Sequence, residues 1–296
     1  MKTRSKLIVA LSSLLAVTAG AAATSTFAWF TSTRTATVTF TQATAYSDNG
    51  DLTVKYINPA ETEVFNACSV SDYASTLPIT NTTSYGLMTD ISGNGVTFYK
   101  PTMTPDATDA NQKFVNGTAP IVVNSSTKQY YVEFGLEFKN NNTSGNVSVY
   151  YNNNSKVEAG AGSDATANSD VILASRIAFL TRTGTAGSYV YTLVGYWNPN
   201  SDTNPVYMNS ATVASNSIST APCDGGTPLT NYLAGTPVTV TKADDTGASK
   251  QLLLSNIAAA GTAQIFVRMW LEGTSSKCIN AAKAGTAKLT LGFSGI

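Results

Sequence analysis

The sequence predicts an all-β protein: an antiparallel β-sandwich, jelly-roll-like, with long loop insertions and at most one or two short helices. Apolar and polar residues alternate with period two in several separate segments, the mark of strands with one buried face. Clusters of Asn, Asp, Gly, Ser and Pro divide those segments as turns do. Helix-terminal signals frame only Ser275–Ala284, with Ser275 or Ser276 as N-cap and Gly285 as the stop.

The first 28 residues stand apart from this pattern. Lys2, Arg4 and Lys6 precede an apolar run from Leu7 to Ala23, and small residues follow, the layout of a secretory signal peptide. The run is short for the ~20 residues of a membrane-spanning helix and is rich in Ala rather than Leu. It also lacks the internal acidic residue of a pilin-type leader. Small-residue spacing allows cleavage at Ala21-x-Ala23 or at Thr26-x-Ala28.

Thr35–Ala43 then opens the mature chain as a strand, with Ala36, Val38 and Phe40 on one face and Thr35, Thr37, Thr39 and Thr41 on the other. Ser47-Asp48-Asn49-Gly50 turns it into Leu52–Ile57, which Asn58-Pro59 ends. Residues 59–128 read as an irregular insertion, broken by Pro78, Pro101, Pro105 and Pro120, with short strand candidates at Val96–Tyr99 and Ile121–Val123. Tyr130–Phe138 places Tyr130, Val132, Phe134, Leu136 and Phe138 on one face. The Asn-rich turn after it and the returning Val147–Tyr151 predict a hairpin. Glu133 and Glu137 fall on the opposite face, where they are expected to meet solvent and discourage sheet stacking. Gly160–Ser169 reads as a flexible loop. Ser175–Arg182 and Tyr189–Trp197 form a second hairpin around Gly184-Thr185-Ala186-Gly187. A second insertion, 198–237, leads to the short strand Val238–Thr241, then to Leu252–Ile257, Gln264–Leu271 and a final strand, Ala287–Phe293.

The chemistry available to this chain is narrow. It contains no histidine, which removes Ser-His-Asp and Cys-His nucleophilic sites, His-ligated zinc and every imidazole base. Glu133 and Glu137, four residues apart on one strand, lie ~13 Å from each other, too far for a glycosidase carboxylate pair. Asp48, Asp51, Asp244 and Asp245 sit in turns without a calcium-loop pattern and read as turn residues. Trp29, Tyr196, Trp197 and Trp270 are either a sugar-stacking platform or, more simply, core and interface aromatics. Cys68, Cys223 and Cys278 contain no Cys-x-x-Cys, and their spacing leaves any pairing open. No cofactor and no metal are expected. The whole chain has 18 basic and 18 acidic residues; without the three leader cations the mature chain is mildly acidic, which argues against a nucleic-acid partner. Charged residues are only 12% of the chain, so its hydroxyl- and amide-rich surface repels a second copy weakly.

The junction Thr26-Phe27-Ala28-Trp29-Phe30-Thr31, followed by the strand at Val38–Phe40 and by Gly50-Asp51-Leu52-Thr53-Val54, resembles the TasA/camelysin family of biofilm-matrix proteins, substrates of the SipW class of signal peptidase. The close match covers about residues 20–56. The resemblance implies cleavage between Ala28 and Trp29, giving a signal peptide 1–28 and a secreted β-sandwich domain 29–296. It also implies a donor-type N-terminal strand, 29–45, with Ala36, Val38 and Phe40 as the face offered to a neighbouring copy. The metalloprotease activity ascribed to camelysin does not carry over to a chain without histidine.

The expected function is therefore a secreted, non-enzymatic structural protein that builds extracellular or cell-surface fibres, with itself as the head-to-tail partner and matrix or cell-wall components as further ones. The alternative is a monomeric cell-surface adhesin or carbohydrate-binding module. The residues alone let the first strand pair within its own sandwich or with a neighbour.

Overall fold

The computed structural model describes residues 35–47, 51–57, 72–78, 87–93, 95–104, 113–121, 130–152, 154–160, 164–185, 187–198, 206–207, 238–239, 251–273 and 285–296. The leader with Ala28 and Trp29, the three cysteines, Asp244 and Asp245, and the helix expected at Ser275–Ala284 lie outside the described residues.

The fold is an all-β sandwich. One sheet contains β1 (Thr35–Ser47), β3 (Thr76–Pro78), β8 (Val147–Tyr151), β9 (Lys156–Ala159), β14 (Gln251–Ile257) and β16 (Thr286–Gly295). The other runs in the order β2 (Leu52–Ile57), β7 (Val132–Asn140), β15 (Thr262–Glu272), β10 (Ser175–Thr183), β11 (Val190–Asn198), β12 (Val206–Tyr207) and β13 (Val238–Thr239). β4 (Leu87–Gly93) joins the two: it pairs with β1, then β15, then β5 (Phe98–Thr104), which pairs with β6 (Lys113–Pro120). The stretch 59–128, expected to be irregular, carries four strands among its described residues, and the strand candidates near Val96 and Ile121 are displaced to β5 and β6.

Consecutive strands repeatedly change sheets, as in a jelly roll. Between the sheets lie Ala36, Val38, Phe40, Val149, Leu289, Leu291 and Phe293 on one side, and Leu52, Val54, Phe134, Leu136, Phe138, Ile177, Phe179, Ile265 and Val267 on the other. Aromatic pairs cross the seam: Phe40–Phe134 at 4.3 Å, Phe138–Phe293 at 4.9 Å and Tyr151–Phe179 at 5.5 Å.

The antiparallel expectation fails at two seams. β1 runs parallel to β16, and β4 parallel to β15. β1 and β16 are the first and last strands among the described residues, so no short connection constrains their relative direction.

The hairpin expected at 130–151 is instead an arch. β7 pairs with β2 and β15, whereas β8 pairs with β14 and β16 in the opposite sheet. The buried Asn140 side chain donates to the carbonyls of Gly145, Ile257 and Ala258 at 2.8, 2.9 and 3.1 Å, and its Oδ1 accepts from Asn142 N. It thereby ties this arch to the one between β14 and β15, where Asn256 and Ala260 take positive φ. The second expected hairpin, β10–β11, is present, with Gly184 and Gly187 at positive φ in its turn.

The loop expected at Gly160–Ser169 contains the start of α1, Ala165–Ala174. Asp164 caps it by accepting from Ala167 N, and Ala167, Val171 and Ala174 form its buried stripe. Asn168 Oδ1 accepts from Thr286 N at 2.8 Å, fixing the start of β16. A Cβ at Gly285 would fall 2.5 Å from Ala167 O, so the helix needs glycine there to lie this close.

Asn140→Ala should lower unfolding free energy by about 2–3 kcal/mol, because buried carbonyls of both arches lose their donor. Asn141→Ala, on the exposed neighbour, should change it by under about 0.5 kcal/mol. Urea denaturation of the two variants measures the contrast.

Candidate functional site

β1 is the element to which the sequence assigns function, and its surroundings define a groove. Ala36, Val38 and Phe40 are buried as expected, with Phe40 edge-on to Tyr56 at 5.6 Å. The alternation then breaks at Thr41. Phe40 pairs with Leu289 and Gln42 with Thr290, so Thr41 is an extra residue, a β-bulge. Its hydroxyl bonds the Leu289 carbonyl at 3.0 Å and lies 2.6 Å from Thr290 Oγ1. Beyond the bulge the inward parity switches to Ala43 and Ala45, and the second of these core residues lies past a strand ending at Ala43. The consecutive polar pair Thr41-Gln42, followed by Ala-x-Ala, is the legible signal of that switch.

The groove has unequal walls. β16 accompanies β1 from Thr37 to Ser47 and is itself backed by β8 and β9. On the other edge, Thr35–Thr37 meet β4, and Gln42–Thr44 meet β3. β3 belongs to a strap, residues 72–78, that reaches across to the second sheet. Ala74 exchanges both backbone bonds with Val54, Ala45 N donates to Ser75 O, and Tyr56 Oη donates to Leu77 O. Tyr73 anchors the strap's end: its hydroxyl donates to Glu137 Oε1 at 2.5 Å.

Glu137 also receives Lys55 Nζ at 2.8 Å and Gln264 Nε2 at 2.6 Å, while Lys55 and Lys139 stand over the Tyr73 ring. Partial burial pushes the Glu137 carboxyl up, but the Lys55, Tyr73 and Gln264 donors together outweigh it and hold it below its ordinary value. The hydrogen bond to Glu137 raises Lys55, and burial followed by the same bond raises Tyr73.

The other carboxylate corrects the sequence reading most sharply. Glu133 is fully buried, not solvent-facing, because the outer face of its sheet is covered by a second core of Ile91, Phe98, Tyr131, Ala178, Leu180, Leu193, Phe266 and Trp270. Arg268, its cross-strand partner on β15, donates to it through Nε and to the Gly95 carbonyl through Nη1 at 2.8 Å. The guanidinium also lies 4.1 Å from the Tyr191 ring centroid, and Tyr191 Oη donates to Glu133 at 3.2 Å. Burial disfavours the Arg268 charge, yet the Glu133 carboxylate beside it more than offsets that and raises its pKa. Gly95 has φ 87°, and a Cβ there would fall 2.2 Å from the Ala178 Cβ, so only glycine brings this carbonyl to Arg268.

Trp197 and Trp270 are buried at 1% and 0% exposure, core residues rather than a sugar platform. Among the described residues, no three His, Cys, Asp or Glu side chains form a group that could hold a metal, and no helix is long and apolar enough to cross a membrane. Scans of protein-family models, curated proteins and solved structures find no match to this chain.

Two outcomes follow from these charges. Arg268→Met leaves Glu133 buried without its cation and should cost about 3–5 kcal/mol in urea denaturation, whereas Glu133→Leu/Arg268→Met should recover most of the loss. Glu137 stabilises the fold above its ordinary value of 4.5, and that contribution disappears as pH falls through its lower folded value. Acid denaturation curves of wild type and Glu137→Gln should therefore draw together as pH falls below 4.5 and meet only beneath that lower folded value. The raised Lys55 and Tyr73 values act in the opposite sense, with stability lost above pH 10.

Proposed function

We propose that this chain is an exported, non-enzymatic structural subunit that forms extracellular fibres by passing β1 from one copy into the groove of the next. The observation that carries the reading is the position of β1. It is a 13-residue strand that fills the core with five side chains, yet continues into the rest of the sandwich only beyond Ser47. Moving it to a neighbour would exchange one set of contacts for an identical set, the condition that makes strand swapping cost little at equilibrium. Burial of Val38 and Phe40 contributes about 1.5–3 kcal/mol each wherever the groove belongs. The exchange is head-to-tail, so it extends into an open filament unless the rotation closes. The leader and its junction motif support export and cleavage between Ala28 and Trp29 by a SipW-type peptidase.

A closed sandwich with β1 in its own sheet equally suits the monomeric adhesin, and one experiment separates the two. Thr39 and Lys288 face each other across the β1–β16 ladder, both partly exposed. In a background with the native cysteines replaced by Ser, one chain would carry Thr39→Cys and a second Lys288→Cys. Fibre formation in the mixture should give disulfide-linked heterodimers on a non-reducing gel. Filaments without such dimers would contradict strand passing, and a mixture that stays monomeric at all concentrations would favour the adhesin.

A further inference from the structure

The strap at residues 72–78 is the least supported wall of the β1 groove. β16 cannot swing away from β1 without tearing its own ladders to β8 and β9. The β4 wall continues directly into its pairing with β15. Among the described residues the strap, by contrast, makes a three-residue ladder to β1 extended by the Ala45–Ser75 bond, and meets the second sheet through a single bridge to β2 and the Tyr56 hydroxyl on Leu77 O. Among the described residues no further strand lies beyond it. Ser75 and Thr76, in its middle, are exposed, and Leu77 is buried. Its leading end is held to the second sheet by the two Ala74–Val54 backbone bonds and by the side chain of Tyr73, whose hydroxyl reaches a carboxylate already organised by Lys55 and Gln264.

We propose that the 72–78 strap is a latch on the N-terminal strand, locked by the Tyr73–Glu137 bond, and that it must open before β1 can leave its own sandwich for another. This rests on the strand-passing function proposed above and adds its control point. Opening the strap frees the Gln42–Thr44 edge of β1 and, at Val54, the edge of β2. The same strap closes again over an incoming strand, because the backbone groups it presents at Thr76–Pro78 are independent of which copy supplies Gln42–Thr44. Tyr73 is thus a positioning residue for assembly and contributes nothing to the groove floor.

Tyr73→Phe removes the phenolic donor but keeps the ring over Lys55 and Lys139. Hydrogen exchange on the purified, monomeric exported protein reads its effect without requiring any fibre. The amides of Ala74 and Val54, and those of Val38–Ala43 along β16, should exchange about tenfold faster, the factor expected when a charge-assisted bond worth ~1.4 kcal/mol is lost. Leu136 and Phe266, inside the second sheet, should be unchanged. Glu137→Gln, which weakens the same bond from the acceptor side, should reproduce the pattern, and seeded fibre growth should quicken by a similar factor in both variants. Faster exchange in the strap with unchanged exchange along Val38–Ala43 would overturn the latch, as would no change in either segment. Failure of the Thr39→Cys and Lys288→Cys chains to cross-link between copies would instead count against the fibre reading, leaving the exchange result to decide the latch by itself.

Discussion

The burial of one sheet on both faces is the constraint on which the rest of the structure depends. β15 runs Ile265-Phe266-Val267-Arg268-Met269-Trp270-Leu271, and every one of these residues is buried. Its odd-numbered side chains meet the opposing sheet, and Phe266 and Trp270 meet the second core. A charge in the middle of such a strand is tolerable only if it is neutralised in place, and Glu133, Gly95 and Tyr191 surround Arg268 to do so. That requirement fixes the β7–β15 register and holds the β4–β5 turn against Ala178. It also makes β4 the strand that couples the sheets.

With one sheet locked in this way, the other can be completed by a strand that is less committed. β1 has the inward face of a core strand and, on the proposed cleavage between Ala28 and Trp29, would have the chain connectivity of an appendage. Its bulge at Thr41 pins register through a side-chain hydroxyl, so a strand supplied from elsewhere would find the same alignment. The proposed function uses that combination: a rigid scaffold with one replaceable stave, and a strap whose hold depends on a tyrosine and a carboxylate. Those two elements also differ in chemistry. The Arg268–Glu133 pair is sealed from solvent, while the Tyr73–Glu137 contact is partly open to it, so only the second suits a contact that must break and re-form.

Much of the fold was legible in the residues, and the failures have physical causes. β1, β2, β10, β11, β14, β15 and β16 all lie within a few residues of their expected positions because each carries its own alternation or apolar run. The inward face of Ala36, Val38 and Phe40 was readable for the same reason. The 130–151 segment suggests a hairpin because an Asn-rich turn serves a hairpin and an arch equally well. The partners that decide between them, β14 and β15, lie more than a hundred residues away. The burial of Glu133 has no local signal because its covering layer includes Ile91 and Phe98, in a region whose prolines conceal its strands. Arg268 carried a signal that could have been used: a lone cation inside a long apolar run needs an acidic partner. The helix α1 escaped because its buried stripe is built from Ala and Val and begins in a Gly- and Ser-rich stretch. Tyr73 had no local signal, since its role arises only where the strap crosses Glu137.

The central claim is that the groove beside β16 is filled by a strand from another copy when the protein assembles. Electron cryomicroscopy of fibres grown from the exported protein tests it most directly, by following the chain from Ser47 into Leu52. The account predicts continuous density that crosses from one subunit to the next, with Phe40 of one copy against Phe134 of its neighbour. Fibres in which that link stays within a single subunit would contradict it.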